Sequence, residues 1–309
     1  LLPLSFSLNP KKIRIQKIIY IFCFVIFLVS LVMLFKSFLT YISAHNSKVF
    51  FYHNLSNNVD EINAIYFSIF VSFSILFLLQ KIRNNLEQGV MIFLMIFLVL
   101  LSSKTIVFVS LTLWVLFFKR KFSFHKRGIL VILSLVFLSS FFFKKRIAFE
   151  VNNSNIVEVL NKDTFGWQYK WSGLGIRTLQ VRVFYELAKE DNFLFYGYGL
   201  NAAKKRSIDK HKERKLYSGM IGIDFHNQYI QFLVEIGIIG LFIYLLIFFL
   251  LLKKSLQEKN LLFFCFLILI ISVCFTEIFL ARQRGMVFFI IVSSLFYNAA
   301  NSPKRIKKD

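Results

Sequence analysis

Proline and cysteine are scarce, at three residues each, and only 17% of the 309 residues are charged. A collagen repeat is excluded by the first shortage and a small disulfide scaffold by the second. Disorder is excluded by what fills the space instead: 57% of the chain is hydrophobic, with 41 Phe among those residues. A soluble chain of this length forms two domains at most and does not string apolar residues into runs of 15 to 20. Such runs recur along this whole sequence. A helix rises about 1.5 Å per residue and the hydrocarbon core is about 30 Å thick, so each run near 20 residues is a candidate span. The chain reads as an all-α polytopic membrane protein.

A formal charge of +22 in a soluble protein would point to nucleic acid. Here most Lys and Arg lie between apolar runs, where they set orientation and meet anionic membrane lipids, so nucleic acid is not an expected partner. Cys23, Cys265 and Cys274 all sit inside apolar runs and form no C-x-x-C pair. On one helix Cys265 and Cys274 point about 180° apart, so they read as packing residues, not a disulfide or a metal site. The chain opens Leu1-Leu2 without Met. That leaves open whether helices precede it, and no signal peptide is counted.

Eight spans are expected, at 18–35, 62–80, 89–101, 105–118, 128–143, 228–252, 260–281 and 285–300. With the N-terminus inside, the cytoplasmic pieces carry 18 Lys and Arg against 5 in the short outer pieces, as the positive-inside rule requires. A single span over 89–118 would set the basic pieces around Lys81 and Lys119 on opposite sides and leave Lys104 at mid-membrane, at a few kcal/mol. A hairpin turning at Ser102-Ser103-Lys104 is therefore expected, with Lys104 at the outer surface. The organisation expected is a bundle over 1–143, a loop or cap over 144–225, and C-terminal helices with a tail over 226–309.

The cap falls outside by parity and carries 15 Lys and Arg against 9 Asp and Glu. A helix is expected from Ile176 to Ala188, and Trp167, Trp171 and Tyr185 supply aromatic surface near the membrane. Among familiar motifs there is no G-x-x-x-x-G-K-[ST], H-E-x-x-H or G-x-S-x-G. Gly197-Tyr198-Gly199 imitates half of a dinucleotide fingerprint, but without a preceding strand it reads as a tight turn. His45, His53, Asp60 and Glu61 match no standard metal spacing and read as solvated loop residues.

The informative stretch runs Asp224-Phe225-His226-Asn227-Gln228-Tyr229 and on through Glu235-Ile236-Gly237-Ile238-Ile239-Gly240. Asp224 is a plausible N-cap for the helix entering the membrane, which would put His226 in its first turn. There the helix dipole disfavours imidazolium, and free N–H groups attract phosphate. An interfacial His paired with lipid headgroups or a carbonyl is the plainer alternative.

The order of Ser-Ser-Lys at an outer turn, a long loop with Gly175-Ile176-Arg177, then Gly197-Tyr198-Gly199, His226-Asn227-Gln228-Tyr229 and Glu235-x-Gly237-x-x-Gly240 closely resembles the O-antigen ligase and polymerase superfamily of bacterial envelope glycosyltransferases. The resemblance covers roughly residues 90 to 300. It implies a GT-C-like fold in the bacterial inner membrane, with both termini cytoplasmic and the active site facing the periplasm. The implied reaction is metal-independent and inverting: a glycan passes from an undecaprenyl-pyrophosphate donor to an acceptor hydroxyl on lipid A core or a similar lipid or glycan acceptor. No cofactor and no metal ligand is implied.

In such a reaction the departing pyrophosphate gathers negative charge, so cations must stand beside it. The resemblance puts one at an outer turn, where this chain has Lys104, without the bidentate fork of the family's Arg. It puts the other in the long loop, where Arg177 matches best and Arg182 competes; 140° apart on one helix, they would not both touch the same phosphate. His226 matches the family's essential His, as general base or orienter of the acceptor hydroxyl. Asn227, Tyr229, Glu277, Arg282 and Arg284 are further candidate substrate contacts, a snorkelling pair at a helix end being the alternative for the two arginines. A polymerase of the same superfamily is the alternative function, and a lipid-linked glycan transporter the second alternative. The sequence carries neither the inverted repeats nor the mid-membrane charges that transport would call for.

Overall fold

A computed structural model describes residues 15–81, 84–101, 103–121, 152 and 155–301. Among these there is no strand, and eleven α-helices can be followed. They are α1 (Ile15–Ala44), α2 (Tyr52–Ser56), α3 (Ala64–Lys81), α4 (Asn85–Leu100), α5 (Lys104–Lys121), α6 (Ile156–Asn161), α7 (Gly173–Glu190), α8 (Leu200–Glu213), α9 (Gln228–Gln257), α10 (Leu261–Cys274) and α11 (Gln283–Asn301). Three of them, α1, α3 and α9, are long and apolar enough to cross a membrane. The chain is a multi-pass membrane protein.

Seven of the eight expected spans coincide with helices, while the one at 128–143 lies outside the described residues. Two differ in extent. The first continues for 30 residues, to Ala44. The seventh stops early: α10 ends at Cys274, and a separate 3-10 turn, Phe279–Ala281, replaces its last expected turns. The physical reason is local, because the polar side chains of Thr276 and Glu277 enter there and the chain leaves the helix to place them. The expected break near residue 102 is present, between Leu100 and Lys104.

The chain divides into two compact units. The first takes the described parts of Leu1–Phe142, Leu251–Ser272 and Gln283–Asp309. Its interior is built from Phe: Phe22, Phe73, Phe266 and Phe288 meet with ring centroids 5.4 to 6.0 Å apart, several edge to face. Hydroxyls supply the polar contacts that close helix packing in lipid needs, such as Ser72 Oγ to Ser110 Oγ at 2.5 Å. His53 and Arg284 each bind backbone here. His53 Nδ1 accepts from the Ala64 N–H at the start of α3, and Arg284 donates to the Asp60 carbonyl at 3.0 Å.

The second unit takes the described parts of Phe143–Leu250 together with Val273–Arg282. The cap thus includes the first three-quarters of α9 and the segment after α10. Its core joins Val159, Phe165, Leu179, Val183, Leu187, Phe193, Leu216, Phe225 and Val234. Each such side chain contributes about 1.5–3 kcal/mol on burial. The spacing of Leu179, Val183 and Leu187 places one stripe of α7 inward, and Ser172 caps that helix by accepting from the Gly175 N–H at 2.9 Å. Trp171 packs against Phe165 and Tyr169, with centroids 4.9 and 4.7 Å away, so it belongs to the cap's interior, whereas Trp167 is exposed.

Candidate functional site

The inward stripe of α7 leaves Arg177 and Arg182 on different faces, and the two meet different fates. Arg182 donates to Glu186 at 2.8 Å and to the carbonyls of Val159 and Lys162 at 2.8 and 2.7 Å, with its side chain only 11% exposed. It ties α7 to α6 and the chain that follows. Arg177 faces the segment after α10. Its Nη2 donates to the Thr276 carbonyl at 3.2 Å and to Glu277 Oε1 at 3.3 Å, while Nη1 donates back to the Gly173 carbonyl at 3.1 Å. The Arg177 side chain as a whole is 37% exposed.

Glu277 carries the cluster across to His226. Its second oxygen, Oε2, lies 3.4 Å from His226 Nδ1, the long end of a hydrogen bond. Only 10% of the Glu277 side chain is exposed, against 34% for His226. In the neutral tautomer that donates Nδ1–H to the ionised Glu277, the Nε2 lone pair would be left to accept. An arginine and a histidine are thereby held on the two oxygens of one carboxylate.

The local backbone differs from the expected cap in one respect. Asp224 does not start α9. Asn227 does: its Oδ1 accepts from the N–H groups of Tyr229 and Ile230 at 2.9 and 3.1 Å. Asp224 is drawn away by an ion pair with Arg282. His226 therefore stands two residues before the first residue of α9, with φ +49°, and not within its first turn. The polar neighbour of the imidazole there is the Glu277 carboxylate.

Three further ties fix the segment that carries Glu277. Asn227 Nδ2 donates to the Phe275 carbonyl at 3.2 Å, and the fully buried Gln228 accepts from the N–H groups of Leu280 and Ala281 at 2.9 and 3.2 Å. The Asp224–Arg282 pair closes the far end. Tyr229 packs its ring on Phe275 and Tyr244, with centroids 4.6 and 5.8 Å away. The role of Gln228 was not foreseen; a carboxamide at the head of an apolar helix was the available signal. Lys104 is the first residue of α5 and Arg284 belongs to α11, both in the other compact unit.

Helices long and apolar enough to cross a membrane, with a cap that holds an arginine, a carboxylate and an imidazole together, describe a multi-pass membrane protein with a polar cluster in its cap. The chain belongs to the O-antigen ligase family, whose model matches residues 89–245, a stretch holding both Arg177 and His226. No curated protein matches the chain at a significant level. The protein is thus a membrane enzyme of the O-antigen ligase and polymerase class.

Proposed function

We propose that the protein transfers a glycan from an undecaprenyl-pyrophosphate carrier to a hydroxyl of a lipid or glycan acceptor, at the periplasmic face of the bacterial inner membrane. The observation that carries this reading is the shared carboxylate: Glu277 reaches Arg177 at 3.3 Å and His226 at 3.4 Å. The acceptor oxygen attacks the anomeric carbon as the bond from that carbon to the pyrophosphate oxygen breaks. His226 Nε2 takes the hydroxyl proton, and Glu277 stabilises the resulting imidazolium through Nδ1–H, as the carboxylate does in catalytic triads. The bonding pair leaves with the pyrophosphate, whose growing charge Arg177 offsets. A single displacement inverts the anomeric configuration. Side chains supply the countercharge, so the reading needs no metal. Lys104 enters as a second phosphate-binding cation on the sequence resemblance alone.

The test is a transfer assay in detergent with purified protein, a lipid-pyrophosphate-linked glycan and an acceptor. Product is expected from the wild type, and none from His226→Ala or Arg177→Ala proteins that insert into membranes normally. Near wild-type product from either variant would remove that residue from its role. An inert but folded wild-type preparation would overturn the reading.

A further inference from the structure

Helix α9 is interrupted at Gly237, whose φ of +68° and ψ of −170° are not helical. A break frees carbonyls and N–H groups from the helix ladder, and each must find a partner. Here they find the turn that opens α8. Tyr198 N–H donates to the Val234 carbonyl at 2.8 Å and Gly199 N–H to the Glu235 carbonyl at 2.9 Å, while Ile238 N–H donates to the Leu194 carbonyl at 2.7 Å. The approach is close enough that only glycine fits on either side. A Cβ on Gly197 would lie 2.3 Å from the Glu235 backbone, and one on Gly237 would lie 2.2 Å from the Phe195 carbonyl oxygen.

The depth of this joint follows from the length of α9. About 20 apolar residues cross the hydrocarbon core. Counted back from Lys253, that stretch begins at Leu233, so Gly237 lies four residues, or about 6 Å, inside it. Irregular backbone at that depth persists only where protein or a water-filled cavity completes its hydrogen bonds, and here the turn does this. The side chains agree. Past the break, α9 exposes Ile238 at 53% and Phe242 at 66%, a surface for lipid, and the adjoining turn exposes Phe195 at 66%, Tyr196 at 78% and Leu200 at 67%. Lys204, one helical turn from Leu200 on the same face of α8, is exposed, as is Lys205.

We propose that residues 194–200 of the cap are immersed in the bilayer leaflet that faces it. Phe195, Tyr196 and Leu200 lie against lipid at the boundary between headgroups and acyl chains, continuous with the lipid-facing surface of α9. Lys204 and Lys205 meet lipid phosphates just above them. The cap is then anchored in the membrane through its own turn as well as through its connections to the helices. The proposal rests on membrane crossing by α9 and not on the transfer reaction.

The test uses the full chain in phosphatidylethanolamine–phosphatidylglycerol vesicles. Nitroxide labels are placed at Phe195→Cys and Tyr196→Cys, with Asp163→Cys as the water-facing reference because the Asp163 side chain is 94% exposed. Cys23, Cys265 and Cys274 are changed to Ala in this background. At positions 195 and 196 collisions with oxygen should exceed those with a water-soluble nickel complex several-fold, the reverse of position 163. Labels as open to nickel as position 163 would overturn the proposal. So would labels shielded from both reagents, which would mean that a protein surface covers the turn. Should the altered cysteine background fail to fold, Tyr196→Trp in the native background decides instead. Brominated lipids should quench the added fluorescence, and its persistence would overturn the proposal.

Discussion

Glu277 meets His226 across 51 residues of sequence, its Oε2 3.4 Å from the imidazole Nδ1, while its other oxygen holds Arg177. Replacing Glu277 with Gln keeps the shape and removes the charge that supports an imidazolium. Turnover should fall about 10²-fold or more, the scale of general acid–base assistance, with thermal stability little changed. The turnover–pH profile, set against a melting curve for the same preparation, measures this. Unchanged turnover would show that the carboxylate only packs.

The two arginines of α7 should separate chemistry from stability. Arg182→Ala removes the donor to the carbonyls of Val159 and Lys162 and one of the two arginine donors to the Glu186 carboxylate, Arg214 being the other. It should lower cap stability by about 1.5–3 kcal/mol while folded molecules keep their turnover. Arg177→Ala should do the opposite. Melting temperature and transfer rate, measured on both variants, decide.

Acidification should loosen the cap through His211. This residue is fully buried, accepts from the Gly222 N–H on Nδ1 at 3.0 Å and meets the Gln180 amide through Nε2 at 3.0 Å. Burial pushes its pKa down from 6.5 to about 4. The unfolded chain therefore binds the proton first. Stability from this group is complete above pH 6.5, declines as pH falls towards 4 and levels off below, a loss on the order of 3 kcal/mol. Proteolysis of the cap measured from pH 7.5 to 4 should show that decline, and His211→Gln should flatten it.

Ala at either Gly197 or Gly237 should destabilise the protein by about 2 kcal/mol or more, since each substitution forces a side chain into backbone at positive φ. The double variant should cost less than the sum, because both disrupt one joint. Melting temperatures of the three variants test the coupling; simple additivity would mean that the two sites are independent.

Chelation supplies a further check. Transfer in excess EDTA should match transfer without it, since the proposed chemistry takes its countercharge from arginine. A loss restored by magnesium or manganese would assign that role to a metal.

The helices were legible because a bilayer imposes its own length on apolar runs, so the chain from Ile15 to Ala44 or from Gln228 to Gln257 announces itself. Arg177 and His226 were legible through the order of short motifs. Their junction was not, since Glu277 is 100 residues from the first and 51 from the second. Glu277 could be read only as a possible substrate contact. Asp224 and Asn227 are both good caps by residue type, and the choice between them is made by Arg282, 58 residues downstream of Asp224. Gly197-Tyr198-Gly199 and Glu235-x-Gly237 looked like two motifs, and they prove to be the halves of one backbone contact.

The strap from Phe275 to Arg282 is fastened along its length by Asn227, Gln228 and Asp224. In the proposed reaction, those fastenings would leave the imidazole and guanidinium little reorientation to do when a sugar arrives. On that proposal selectivity would fall on the incoming molecules: an acceptor that could not bring its hydroxyl to a stationary nitrogen would gain nothing from the protein yielding to meet it.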